Sequence, residues 1–219
     1  MARRALITGG NRGIGFAIAK GLKSKDLDVI IGSRNAEAGA QAAKELDCGH
    51  VQLDVTDLRS IEQAYDDIGV IDVLVNNAGV YYEAPLLENP AQFDESLQVM
   101  LYGPYHMIRR AAPAMIDRGY GRIVNVSSYW GSFTEGLAGP GASGVAKAAL
   151  NALTLTLSRE LPGCVKINSV DPGKVATRIG GTAAPLTPDQ GAATAICLAT
   201  LLDDGPTGGF FSNHRPMGW

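Results

Sequence analysis

Short apolar runs alternate with longer segments of helical period along this whole chain, and that alternation leaves few folds open. Runs at Arg4–Thr8, Val29–Ser33, Val51–Leu53, Val73–Asn76, Arg122–Ser127 and Cys164–Val170 are apolar almost throughout, with a shorter seventh at Gly209–Phe211. Such runs suit strands covered on both faces, the condition of a parallel sheet wrapped by helices. Helical patterns fill the gaps at about 13–24, 36–46, 57–67, 90–117, 144–160 and 188–201. The clearest carries Ala146, Leu150, Leu153, Leu157 and Leu161 at three- and four-residue steps, one apolar stripe. Pro104 and Pro113 fall inside the long fourth pattern and are expected to kink or split it. The expectation is an α/β fold, a doubly wound parallel sheet of about seven strands with helices on both faces. No repeat, low-complexity tract or linker interrupts the pattern, so residues 1–219 are read as one domain.

Bulk composition excludes several function classes. A net charge of −3 gives no electrostatic case for nucleic acid or an anionic membrane. No apolar run approaches the length of a membrane span, and Ala5-Leu6-Ile7 is too short for a signal peptide core. Cys48, Cys164 and Cys197 lie far apart and read as reduced thiols of a cytoplasmic protein. His50, His106 and His214 lack ligand spacing with acids or cysteines, so no metal site is read.

The first strand runs into Thr8-Gly9-Gly10-Asn11-Arg12-Gly13-Ile14-Gly15 and then a helix. Glycines at such a turn permit tight turning and close backbone approach to a pyrophosphate, whose charge meets the helix N-terminus. The bland alternative is a glycine-rich turn with no ligand. At the end of the second strand an acidic residue would hold the ribose 2′-hydroxyl of NAD. Gly32-Ser33-Arg34 stands there instead, and Arg12 adds a second guanidinium. Two such groups suit a 2′-phosphate, which selects NADP(H); otherwise Arg34 is a solvated helix-start residue. Asp54 and Val55 close the third strand, where Asp57 is the better helix cap. Asn76-Asn77-Ala78-Gly79 ends the fourth, Asn125-Val126-Ser127-Ser128 the fifth, and Pro172-Gly173 follows the sixth.

Taken together, these motifs resemble those of the short-chain dehydrogenase/reductase family, carbonyl reductases in particular. The spacing Thr-Gly-x-x-x-Gly-x-Gly and Asn-Asn-Ala-Gly after the fourth strand carry the likeness, which spans nearly the full chain. It implies a Rossmann-type sheet with strand order 3-2-1-4-5-6-7 and a small-molecule carbonyl or alcohol substrate; a homo-oligomer is compatible with it. It also implies cofactor contacts at Gly9, Asn11, Arg12, Gly13, Ile14, Gly15, Arg34, Asp54, Val55, Asn77, Ala78, Gly79, Lys147, Pro172, Gly173 and Thr177.

The same resemblance implies a serine, a tyrosine, a lysine and an asparagine for catalysis. Ser128 matches the serine, with Ser127 as the less favoured register, and Lys147 the lysine. Four residues before Lys147, where the tyrosine proton donor belongs, stands Ser143, and the asparagine position falls on Met100. An aliphatic hydroxyl is far less acidic than a phenol and lacks the ring's reach. The reading is therefore an NADP(H)-dependent oxidoreductase with a depleted catalytic set and weak or altered activity. Tyr81, Tyr82, Tyr129 and Glu135 belong to loops expected near the pocket. Lys174, where a bulky apolar residue is expected, is read either as an enclosed, activated amine or as an ordinary loop lysine. The rival expectation is a non-redox enzyme (isomerase, lyase or cyclase) or an inactive cofactor-binding protein, natural or engineered. The segment from Pro172 to Pro188 is short, which implies an open pocket.

Overall fold

A computed structural model describes residues 2–219. Seven strands run parallel: β1 (Arg4–Thr8), β2 (Asp28–Ser33), β3 (Gly49–Gln52), β4 (Val73–Asn76), β5 (Gly121–Val126), β6 (Val165–Asp171) and β7 (Phe210–Ser212). An eighth, β8 (Arg215–Pro216), folds back antiparallel on β7 and gives the order β3-β2-β1-β4-β5-β6-β7-β8. The family-like order is thus extended by one strand that no apolar run announces, because a two-residue edge strand ending in Pro216 buries nothing.

Alternate residues of each central strand enter opposite layers. Ala5, Ile7, Val29, Ile31, Val73 and Val75 pack on one face beneath α1 (Gly13–Lys23), α2 (Ala36–Leu46) and α7 (Pro188–Ala199). Leu6, Ile30, Leu74, Ile123 and Ile167 pack on the other, with α3 (Leu58–Ile68), α5 (Gly103–Asp117) and α6 (Gly141–Glu160). Both faces are apolar because both are covered, which is why the strands read as continuous apolar runs rather than as an alternation.

The helix expected over 90–117 is divided, and not at its prolines alone. α4 (Pro90–Leu97) passes into a π-turn over Gln98–Tyr102 before α5 begins. Pro104 has no N–H to donate, and the wider turn takes up the mismatch: Gly103 N bonds Gln98 O, five residues back. Pro113 lies inside α5, which continues through it. α6 begins at Gly141 rather than 144, so Ser143 lies within its first turn. Side-chain caps fix the starts of α2, α3 and α7: Asn35 accepts from Ala38 N at 2.8 Å, Asp57 from Arg59 N at 2.9 Å, and Thr187 and Gln190 close a reciprocal box on α7.

At the opposite end of the sheet from the glycine turn, Arg122 is fully buried, yet its acidic partner Asp203 is 84% exposed. The guanidinium also donates to Leu201 O at 2.8 Å, Gly121 O at 2.9 Å and Cys164 O at 3.1 Å, joining β5 to the segments before β6 and after α7. The carbonyls, not the ion pair, therefore dominate its worth. In urea unfolding, Arg122→Met should lose about 3–5 kcal/mol through orphaned buried acceptors. Asp203→Asn should lose about 1 kcal/mol or less. Equal losses would show instead that the ion pair holds this corner.

Candidate functional site

Strands β1 and β4 lie side by side although β2 and β3 turn away to the other side of β1, so the loops after β1 and β4 diverge and leave a crevice at their carboxyl ends. The glycine turn and the Asn76–Gly79 segment meet there. Thr8 Oγ1 accepts the N–H groups of Asn77 and Ala78, both at 3.0 Å. Asn77 Nδ2 returns to Thr8 O at 2.9 Å and Gly9 O at 3.2 Å. Asn77 thus braces the turn from behind. Gly15 is required by that brace: a Cβ there would come within 2.4 Å of both Asn77 Nδ2 and Gly9 O. Gly13 adopts φ +55°, and a Cβ on it would lie 3.3 Å from the Thr177 methyl. The loop after β6 therefore faces the glycine turn directly. Ile14 and Asn11 are half-buried at its rim, and Arg12, the residue before α1, is exposed.

On the β2 side of the crevice, Arg34 is exposed and Asn35 caps α2. Arg34 is thus neither paired in the core nor part of the helix. Asp54 does not cap α3; its Oδ1 takes Thr56 N at 2.9 Å and Thr56 Oγ1 at 2.7 Å, which leaves the second carboxylate oxygen outside these bonds. Val55 is buried and packs where Gly103 brings α5 close. The hydroxyl of Tyr82 bonds Glu95, which raises the phenol's pKa.

The second group gathers where β5 ends. Lys147 Nζ, one turn along α6 from Ser143, donates to Val126 O at 2.6 Å. Its ammonium is desolvated, and burial lowers its pKa from 10.5 to about 8. Ser127 is buried, its hydroxyl toward Lys147 O at 3.5 Å; Ser128 is half-buried and accepts Trp130 N at 3.2 Å. Because Ser128 uses a lone pair in that bond, its O–H remains for another acceptor. Ser143 is 3% exposed and its hydroxyl has no hydrogen-bond partner. Met100 is buried in the π-turn and belongs to the core beneath α6. Tyr81 stacks on Trp130 at 5.5 Å between ring centroids, and Tyr129 tilts against the same indole at 5.8 Å. Its backbone N–H is held by Asp171 Oδ1 at 3.1 Å.

The loop after β6 is closed on itself. Ala176 N bonds Leu186 O at 2.8 Å and Leu186 N bonds Lys174 O at 3.2 Å, while Thr177 Oγ1 accepts Gly180 N at 3.1 Å. Gly173 turns this loop away from Pro172. Lys174 itself is exposed, which answers to the ordinary loop lysine and not to an enclosed amine. Among the described residues no group of His, Cys, Asp and Glu is arranged to hold a metal ion. No described helix is long and apolar enough to cross a membrane.

The depressed Lys147 pKa has a consequence for stability with a definite sign. The folded protein releases this proton at a lower pH than the unfolded chain does. Below about pH 8 the desolvated ammonium costs stability, and that cost is relieved as pH rises from about 8 to 10.5. Lys147→Met should therefore be more stable than the parent at pH 7, by about 1–2 kcal/mol after the lost bond to Val126 O. The gap should close toward pH 10.5. Urea titrations across that range check it; a variant less stable at pH 7, with no closing gap, would mean a well-solvated amine.

Comparison with known proteins gives this geometry a family. The short chain dehydrogenase family model matches residues 3–185. A 3-oxoacyl-[acyl-carrier-protein] reductase of Haemophilus influenzae is 36% identical over 184 residues, 79% of this chain and 74% of the relative. Carbonyl reductase [NADPH] 1 of Sus scrofa is 30% identical over 275 positions, covering 99% of this chain and 94% of that protein. That alignment is longer than the chain, so the carbonyl reductase holds inserted residues that are missing here. A solved short chain dehydrogenase/reductase family protein superposes with TM-score 0.86 at 31% identity, over 96% of this chain and 94% of that one. Salutaridine reductase from Papaver somniferum superposes with TM-score 0.83 at 28% identity, over 95% and 99%. With its crevice, its braced glycine turn and its lysine at the end of β5, the chain belongs to the short-chain dehydrogenase/reductase family of oxidoreductases.

Proposed function

We propose that residues 1–219 form one NADP(H)-dependent oxidoreductase unit acting on small carbonyl or alcohol substrates, with the family's phenolic proton donor replaced at Ser143. The observation that carries the reading is the cradle at the β1–β4 crevice. Its backbone is packed so closely that Gly15 admits no Cβ, and it faces Thr177 across the gap. That is the form a pyrophosphate requires, and α1 begins at Gly13 with its free N–H groups toward it. In this reading Gly9, Asn11, Gly13, Ile14 and Gly15 bind the phosphates, and Asp54, Val55 and Asn77 to Gly79 border the adenosine. Pro172, Gly173 and Thr177 border the nicotinamide. Arg12 and Arg34, both exposed, take the 2′-phosphate. When bound, the dinucleotide supplies or accepts the hydride.

The chain's own groups do the rest. Lys147 keeps one N–H on Val126 O and has two others for the nicotinamide ribose. Ser128, its lone pair engaged by Trp130 N, directs its O–H to the substrate oxygen. No phenol is offered at position 143. Loss of general acid catalysis costs roughly 10²–10⁴ in rate, so the parent should reduce ketones slowly. The second reading, a cofactor-binding protein without turnover, draws on the burial of both Met100 and Ser143. It shares the cradle and differs only in chemistry.

Fluorescence titration tests the cofactor. NADPH should bind at least tenfold more tightly than NADH, and Arg34→Ala should remove most of that preference by deleting a charge-assisted phosphate contact, about 1.5–3 kcal/mol. Equal affinity for the two would remove the case for the 2′-phosphate. Ser143→Tyr tests the chemistry: NADPH-dependent ketone reduction should rise by about 10²–10⁴. No rise, with NADPH still bound, would favour the turnover-free reading.

A further inference from the structure

The carboxyl end of β6 carries a buried acid with no cation beside it. Asp171 is 6% exposed and enters no ion pair among the described residues. Its carboxylate makes two hydrogen bonds instead: Oδ1 accepts the N–H of Tyr129 at 3.1 Å, and Oδ2 accepts the hydroxyl of Ser212 at 2.9 Å. The backbone ladder between β5 and β6 ends one step earlier, where Ser127 N donates to Val170 O at 2.7 Å. There the chain leaves the sheet, and the Asp171 side chain holds it beyond the last rung. An isolated carboxylate is costly to bury, and the β6–β7 pairing at this residue is a matter of backbone alone. The strand therefore asks nothing of this side chain, and the reason for an acid lies in what it holds.

That is the peptide between Ser128 and Tyr129. Its carbonyl accepts Gly131 N at 2.9 Å while its N–H lies on Asp171, so both polar ends of the plane are engaged. Ser128 is extended, with φ −164° and ψ 152°. Rotation about that ψ would swing the plane out of both bonds, so together they fix the direction in which the Ser128 side chain leaves the backbone. Trp130 N, donating to Oγ at 3.2 Å, then fixes the rotamer. The far end of the same turn is secured separately. Asn151 Nδ2, buried on α6, donates to Gly131 O at 3.2 Å. Gly131 also lies so close on α6 that a Cβ would come 2.5 Å from the Lys147 carbonyl carbon. With that end seated on the helix, the Asp171 bond governs the start of the turn, where Ser128 stands.

We infer that Asp171 is a positioning residue for Ser128: it aims that hydroxyl by holding the peptide that follows it. The inference rests on the oxidoreductase reading above, in which Ser128 donates to the substrate oxygen. A donor set in advance toward developing charge matters most in the transition state, so lost aim falls on kcat and not on cofactor binding. Ser212 of β7 separates this role from plain support. Removing its hydroxyl strands the second carboxylate oxygen yet leaves Tyr129 N bonded.

The test measures ketone reduction with NADPH, NADPH affinity and urea unfolding on one set of variants, each made in the parent and in the Ser143→Tyr protein. Asp171→Ala should lower kcat about 10–100-fold with NADPH affinity changed by less than about threefold. Asp171→Asn keeps an acceptor for Tyr129 N and a partner for Ser212, so it should recover the rate to within about threefold of the parent. Ser212→Ala should lower the urea midpoint as Asp171→Ala does, yet leave kcat within about twofold. Tyr129→Pro deletes the same bond from its other side, at the first residue of a turn that follows an extended Ser128, where proline is tolerated. It should be about 10–100-fold slower than Tyr129→Ala, which keeps the N–H, and this pair decides the matter where Asp171→Ala does not fold. An undiminished kcat in Asp171→Ala, no rescue by Asp171→Asn, an equal fall in Ser212→Ala, a loss matched in NADPH affinity, or equal rates for Tyr129→Pro and Tyr129→Ala would each overturn the inference. Where the parent or Ser143→Tyr reduces ketones, such a result sinks this inference alone. If neither does, the oxidoreductase reading falls and takes the inference with it.

Discussion

The bonds between Thr8 and Asn77 hold this molecule's working end in place. One hydroxyl and one amide tie the last residue of β1 to the loop after β4, across the line where the sheet's winding reverses. Loops leave that line in opposite directions, and these ties carry the β1–β4 pairing past the last residues of the ladder into the crevice walls. The packing of the glycine turn follows from them, since Gly15 must fit beneath Asn77 Nδ2. So does the approach of the Thr177 loop, which rests against the same turn.

A second polar line anchors the other half of the site. Within the core, Asn76 donates to Asn125 Oδ1 at 2.8 Å and Asn125 donates to Thr154 Oγ1 at 2.9 Å. Ser169 reaches the same threonine at 2.9 Å. Strands β4, β5 and β6 are thereby registered against α6, the helix that carries Ser143 and Lys147. Buried networks of this kind specify one arrangement because every alternative leaves a polar group unpaired. Both halves of the site therefore depend on side-chain bonds made at or just below the strand ends, not on the loops themselves.

Much of this was legible in the sequence because its signals are local. Continuous apolar runs gave strands within a residue or two, since burial on both faces leaves no polar alternation to mislead. The glycine turn and Asn77 were legible because close backbone approach restricts residue type. What escaped has no local signal. The π-turn depends on how Pro104 meets a helix arriving from α4, and the prolines alone pointed to a kink without its place. β8 is held by pairing to β7 rather than by burial. Arg122 reads as a surface residue until the segments before β6 and after α7 are seen to close over it. That Ser143 stands four before Lys147 is plain from the chain; that its hydroxyl is shut away without a partner is a property of the packed state alone.

The closed loop after β6 bears on time as well as on shape. Its two strands of chain are clipped together by backbone bonds at Ala176 and Leu186, so only a short turn is left with room to swing. Enzymes that seal their reactants under a long flap often wait on that flap to let product go. For the proposed oxidoreductase, departure would then have little to wait for. Water entering as freely as product leaves would also screen the charges that develop on a reacting oxygen, trading a dry interior for quick exchange.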